Sequence, residues 1–317
     1  MTTATAPGKI ILFGEHAVVY GQPAIAAPIS QVRATAVIQD SPTPGIRIIA
    51  PDLGHSILLN DADPHDAIAA IIHQLKTAAH LQTLPDLTIT VSSQIPIASG
   101  LGSGAAITAA VIRALAAHLG LSHLLSDAWV SAQTYEIEKI HHGTPSGIDN
   151  TVVAYERPVY FQRQQPHNLV EPFIVGKPLR LLVADSGIRS STKDVVGDVR
   201  QQWQAAPQRF TAIFSACGRI TACARQAIEV GDTVQIGQLM TENHALLQQM
   251  TVSSAALDGL VEAALAAGAL GAKLSGAGRG GNMLALVADE ERETAVYDAL
   301  LAAGAKNILT TTIQPTP

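Results

Sequence analysis

Apolar positions along the chain fall into two rhythms. Lys9–Phe13 (KIILF) and Arg33–Gln39 (RATAVIQ) are apolar or β-branched, and Leu87–Ser92 (LTITVS) alternates, so each predicts a strand. Between the last two, Asp66–Ala79 carries helical spacing. At Pro96 the texture changes to PIASGLGSG, a glycine-rich loop. Ala105 to about His118 is then small, apolar and helical, stopped by Gly120. Ser126 caps a further helix that runs to His142 and ends in Gly143-Thr144-Pro145. From about Leu179 a fresh block opens with the strand LRLLVAD, and amphipathic helices follow at roughly 207–230, 233–250 and 254–267. The chain then reads strand, glycine loop, strand (KLSGAGRGGNMLALV), a helix from about Glu290 to Ala303, and a last strand near Lys306–Ile313. This order predicts an α+β fold with mixed sheets.

Length adds a division. At 317 residues the chain exceeds the size at which one core usually splits. The Pro-containing stretch Gln165–Pro178 marks the boundary, giving domains 1–175 and 176–317. With 15% charged and 4% aromatic residues, the core must rest on Ala, Leu, Ile and Val. A formal charge of −6 and no basic stripe exclude a nucleic-acid surface. No run approaches a membrane helix, and MTTATAPGK lacks the features of a signal peptide, so a cytoplasmic protein is expected. Cys217 and Cys223, six residues apart, suit neither a zinc knuckle nor a CxxC pair and read as buried free thiols.

Three segments carry glycines in numbers: PGKIILFGEHAVVYG, PIASGLGSGAA and KLSGAGRGGN. A glycine loop feeding a helix gathers free backbone N–H groups at the positive end of the helix dipole, which makes an anion site, most often for phosphate. Gly100, Gly102 and Gly104 remove side chains where phosphate oxygens must approach, and Ala105 and Ala106 let the helix start close to them. No GxxxxGK[ST] occurs. Gly276, Gly278 and Gly281 fit GxGxxG, but a strand follows rather than a helix, which excludes a dinucleotide fold.

Phosphoryl transfer requires cationic charge on the phosphates, an oxygen-ligated Mg²⁺ and a carboxylate aimed at the attacking hydroxyl. EIEKIHHGTPSGIDN supplies Glu138 near a helix end, as a metal ligand, and Asp149 in a glycine-flanked turn, as the base. Lys9 supplies positive charge and would keep Asp149 ionised. Taken singly, each also reads as a surface residue or an Asp-Asn turn. The histidines His16, His141 and His142 are equally ambiguous.

The ordered trio of motifs resembles the GHMP kinase superfamily. Within it, GEHAVVYGQPAIA (14–26), HGTPSGIDN (142–150) and DSGIRSSTKDVV (185–196) resemble the mevalonate kinase family over nearly the whole chain. The resemblance implies a ribosomal protein S5 domain 2-like N-terminal domain and a ferredoxin-like C-terminal one, with the active site in the cleft between them. It implies Mg²⁺-dependent transfer from ATP to the 5-hydroxyl of (R)-mevalonate, in isoprenoid biosynthesis. It places Lys9 and Asp149 at the reaction, and Ala98, Ser99, Gly100, Leu101, Gly102, Ser103, Gly104, Ala105 and Ala106, with Ser93 upstream, at the nucleotide. Glu15, His16, Ser146 and Thr192 fall to the substrate, and Glu138 with Ser103 to the metal. The family loop is commonly GLGSSAA, and its metal-binding serine is here Gly104, so Ser103 or water must complete the Mg²⁺ shell. Mevalonate's carboxylate wants a basic partner, Arg163 first and Arg189 in reserve. Arg279 and Asn282 depart from the family's glycine and cysteine, and Arg279 reads equally as a phosphate contact or as surface. A homodimer is a family-level suggestion. Two rivals stay open: another enzyme of the superfamily, and a sensor that binds ATP without turnover, which the Gly104 departure would favour.

Overall fold

A computed structural model of the chain describes residues 1–63, 66–96, 100–142, 145–165 and 168–315, with the side chains of 141 and 142 left aside. The chain divides into two compact units. Met1–Lys9, Ser30–Ile97 and Leu101–Arg157 form the first, and Ile10–Ile29 and Pro158–Pro317 make up most of the second.

The first unit takes the leading residues of β1 (Thr2–Phe13) and the far half of β2 (Pro23–Asp40), with β3 (Ile46–Ala50), β4 (His55–Leu58) and β5 (Leu87–Ser93). Residues 34–40 of β2 pair antiparallel with 87–93 of β5. Strand β3 runs parallel to β5 and antiparallel to β4. Four helices accompany this sheet: α1 (Ala67–Ala78), α2 (Ser103–His118), α3 (Asp127–His142) and α4 (Ile148–Tyr155). Helix α1 starts where its sequence signals a cap, with Asp66 Oδ1 accepting the Ala69 N–H at 2.9 Å. Helix α2 is buried nearly all round, from Ala105 and Ala106 to Leu115 and Ala116, because small residues let neighbouring elements approach it on every side.

Helix α4 is absent from the sequence reading, which places Asp149 in a glycine-flanked turn. The β-branched Thr151-Val152-Val153 run lowers helix propensity. Burial of Ile148, Thr151, Val152, Val153 and Ala154 overrides it, and Thr151 Oγ1 donates to the Gly147 carbonyl at 2.7 Å. Asp149 therefore sits in the first turn of a helix.

The second unit holds 23–26 of β2 paired antiparallel with β6 (Val159–Gln162), and β7 (Leu169–Pro172) beyond it. Its other sheet contains β8 (Leu179–Asp185), β9 (Gly271–Ser275), β10 (Asn282–Val287) and β11 (Asn307–Ile313), in the order β11-β8-β10-β9. All three pairings are antiparallel. Strand, helix, strand, strand, helix, strand in that order is the ferredoxin-like split βαββαβ topology. Before α8 (Ala255–Ala266) the chain inserts α5 (Thr192–Ala205), α6 (Pro207–Val230) and α7 (Thr233–Gln249), and α9 (Glu290–Ala302) lies between β10 and β11. One core gathers Leu182, Val199, Phe210, Phe214, Leu257, Leu260, Val296 and Leu300. Each such side chain contributes roughly 1.5–3 kcal/mol by leaving water.

Helix α5, also unforeseen, buries only Val195 and Val199, too thin a stripe to read from sequence. Ser191 Oγ caps it by accepting from Asp194 N–H. The thiols part company: Cys217 is buried and Cys223 exposed. Six residues turn a helix by about 240° beyond a full revolution, so the two cannot share a face. Among the described residues no helix is long and apolar enough to cross a membrane.

Candidate active site

Leu101-Gly102-Ser103 opens the site in the first unit. Gly102 caps α2 in the left-handed region, at φ +77°. The next amides, of Ser103, Gly104 and Ala105, belong to a first helical turn, where N–H groups have no intrahelical acceptor. Leu101, Ala105 and Ala106 are buried beneath the turn. Gly100 lies at φ +78°. Ala98 and Ser99, expected at the nucleotide, lie outside the described residues, as does the side chain of His142.

Lys9 ties this turn to Asp149. Its N–H donates to the Leu101 carbonyl at 2.9 Å, which fixes β1 against the loop. Its side chain passes so close that a Cβ on Gly102 would stand 2.8 Å from Lys9 Cγ. Its ammonium then ends 3.0 Å from Asp149 Oδ1, with the lysine side chain 6% exposed and the aspartate 31%. Such a pair is screened from water on the lysine side and open on the aspartate side.

Glu138, on α3, completes the cluster. A Cβ added at Gly104 would lie 3.4 Å from Glu138 Oε1. Burial pushes the Glu138 carboxyl up to about 7, the Asp149 charge adds to this, and Lys9 opposes it. Two carboxylates and a lysine therefore share one field beside the helix N-terminus. Ser103 Oγ lies 3.4 Å from Ser93 Oγ, and it is position 104 that faces Glu138. Ser93 is itself held by Asp52, which accepts its N–H at 2.7 Å. Ser146 Oγ accepts the Ile148 N–H at 3.3 Å, bracing the start of α4 just before Asp149.

The remaining expected residues belong to the second unit. Glu15 and His16 are both buried, in the turn after β1. Glu15 is locked to Lys273, and His16 Nε2 is 2.8 Å from the Ala277 carbonyl. Burial lowers the His16 pKa to about 4, the hydrogen bond to Ala277 works against this, and the Arg279 charge lowers it further. Arg163 is half-buried just past β6, and Thr192 is exposed at the start of α5. Arg189 is tied to Asp185 at 3.1 Å. Arg279 is engaged by Asp198 and donates to the Thr251 carbonyl, and Asn282 is buried at the head of β10. Lys273 is missing from the sequence reading, although a lysine inside the apolar strand GAKLS, next to a glycine loop, was the available signal.

Two family descriptions match the chain: "GHMP kinases N terminal domain" over residues 66–157 and "GHMP kinases C terminal" over 224–306. The chain belongs to the GHMP kinases. This GHMP kinase is 35% identical to the mevalonate kinase of Thermococcus sibiricus, across 97% of its own length and 95% of that protein's. Its fold matches the crystal structure of L. major mevalonate kinase in complex with R-mevalonate with a TM-score of 0.86, at 33% identity, covering 100% of this chain and 97% of that one. The Methanococcus jannaschii mevalonate kinase superposes with a TM-score of 0.84 at 26% identity, over 99% of this chain and 98% of the other. The chain is an ATP-using alcohol kinase of this family, with the two-domain fold that the family name implies.

The glycine turn gives a direct test. Gly102→Ala adds a Cβ that meets Lys9 at 2.8 Å, at a φ that side chains rarely adopt. A decline of about 10–10²-fold in kcat/KM is expected, since sub-ångström displacement of a reacting group costs that much. Gly259→Ala, in α8 of the second unit with nothing within 4 Å of the added Cβ, serves as the control. Steady-state kinetics beside thermal unfolding separates lost geometry from lost fold.

Proposed function

We propose that the chain transfers the terminal phosphoryl group of ATP to the 5-hydroxyl of (R)-mevalonate. The chemistry is carried by one observation, the Lys9–Asp149 pair at 3.0 Å under the glycine turn into α2. The choice of substrate rests on the likeness to mevalonate kinases, among them the L. major enzyme in complex with R-mevalonate.

In this reading the amides of 102–105 and the α2 dipole receive the phosphates, where N–H groups aimed at developing negative charge lower the barrier most. Lys9 pairs with Asp149 and adds a positive charge close to the transferred group. Asp149 orients the alcohol and takes its proton as the new O–P bond forms and the bond to the ADP oxygen breaks. Glu138 fits a Mg²⁺ ligand, because a hard cation would offset the burial and the repulsion from Asp149 that together raise its pKa. Bound there with nucleotide oxygens and water, Mg²⁺ would neutralise charge on the phosphates. Without a serine at 104, water or Ser103 would complete the shell, and Ser93 and Ser103 would serve the nucleotide. Arg163 is the proposed partner of the substrate carboxylate, given that Arg189 is taken by Asp185. His16, Ser146 and Thr192 complete the substrate side.

A coupled ADP-release assay with mevalonate, phosphomevalonate, homoserine and galactose tests this. Strong turnover is expected with mevalonate and little with the rest. A preference for phosphomevalonate would remove the substrate assignment, and tight binding of ATP and mevalonate without ADP release would favour the sensor.

A further inference from the structure

Lys273 is fully buried in β9, flanked by Ala272 and Leu274, which are fully buried as well. Its ammonium donates to a Glu15 carboxylate oxygen in a very short contact, and to the Leu274 carbonyl at 2.6 Å. Burial depresses the Lys273 pKa while the Glu15 charge opposes this. The pair adjoins a core that includes Cys217 and Leu274. Apolar residues of similar volume usually stabilise such a place at least as well as an ion pair. A geometric role accounts for keeping the charges there.

Strand β9 and the loop after it grip the 11–16 segment at three levels. Ser275 Oγ donates to the Ile11 carbonyl at 2.9 Å and accepts the Ile11 N–H at 3.3 Å. Lys273 holds Glu15. The Ala277 carbonyl meets His16 Nε2 at 2.8 Å. Strand β9 is fixed further by His244, whose Nδ1 accepts the Leu274 N–H at 3.3 Å and whose Nε2 lies 3.1 Å from Asp258. The turn itself has little slack. Gly14 lies at φ +92°, where a Cβ would meet the Pro23 carbonyl at 2.4 Å, and His16 is left-handed at φ 58°.

We infer that Lys273 is a positioning residue: by anchoring Glu15 it holds the Gly14–His16 turn so that His16 offers the bare Nδ1 of its imidazole to a substrate hydroxyl. A carbonyl can only accept, so the Nε2 facing Ala277 carries the proton. With its pKa at about 4 the ring is neutral, which leaves a lone pair on Nδ1. Glu15 then acts through His16 rather than by touching the substrate. The inference rests on the proposed function above, in which this turn belongs to the substrate side.

The deciding variant is Glu15→Met with Lys273→Met, which removes both charges of the pair at similar volume. Thermal unfolding close to wild type is expected, with KM for mevalonate raised by up to about 10²-fold and KM for ATP unchanged. In ¹⁵N NMR the His16 ring should lose its single Nε2–H signature. A folded double variant with native KM for mevalonate and an unchanged His16 spectrum overturns the proposal. Should the double variant not fold, Lys273→Arg keeps the charge while displacing the donor. The same rise in KM is expected from it, and native kinetics there overturn the proposal equally. Wild-type protein that fails to turn over mevalonate would defeat the substrate reading instead, and the NMR comparison would still decide the anchoring.

Discussion

Asp149→Asn is expected to lower turnover by about 10²–10⁴-fold while ATP affinity stays within a few-fold of wild type. The asparagine keeps the shape of the side chain at the start of α4, so the helix and its Gly147 cap are retained. It removes the proposed proton acceptor and the charge that pairs with Lys9. The loop amides proposed to receive the phosphates are untouched, because the Lys9 N–H bond to Leu101 and the Gly102 turn involve no atom of residue 149. Single-turnover kinetics with equilibrium titration of ATP separates the two quantities. Near-native turnover would show that Asp149 is not the base.

Glu138→Gln is expected to act in opposite directions on activity and stability. Loss of the carboxylate should reduce kcat by about 10²–10³-fold, the usual effect of deleting one charge-stabilising group, and should weaken the Mg²⁺ dependence of ATP binding. The metal-free protein should at the same time become more stable. A carboxyl whose folded pKa is raised from 4.5 to about 7 binds more protons folded than unfolded across that window. Its ionisation therefore opposes folding, fully above pH 7 and progressively less as pH falls towards 4.5. A shift of that size corresponds to roughly 3 kcal/mol. The gain from Glu138→Gln should be near this figure at pH 8 and should fade by pH 5. His16, with its pKa lowered to about 4, shifts in the other sense, losing stability as pH falls from 6.5 through 4. It is present in both proteins and cancels in the difference. Denaturant midpoints at the two pH values measure the effect. An equal gain at both would trace it to packing instead. Stability given up at a site that gathers like charges is a common cost of function.

The second-unit helices α6, α7 and α8 were legible to within about a residue at each end. Their apolar stripes repeat over three turns or more, and Pro207, Gly231 and Ser254 punctuate them. Helix α1 was legible for the same reasons. The short strands β3, β4, β6 and β7 were not, because four or five residues carry too few alternations to separate a strand from a turn. The first part of β2 escaped as well, since Pro23–Ala27 is buried on both faces and shows no alternation at all.

In the site, the sequence alone determined the residue types and their order: a glycine turn before an apolar helix, a lysine early in the first strand, and two acids eleven residues apart. Glycine spacing and helix signals are local properties, so they survive without the fold. Only the tertiary structure decided that Lys9 bridges the loop to Asp149, that position 104 faces Glu138, and that Glu15 is bound to a lysine 258 residues away. These depend on which faces become buried against which, and on the partners that burial brings to each charge. No stretch of sequence holds that information, because the energy of a buried charge is set by neighbours that the chain brings together only on folding.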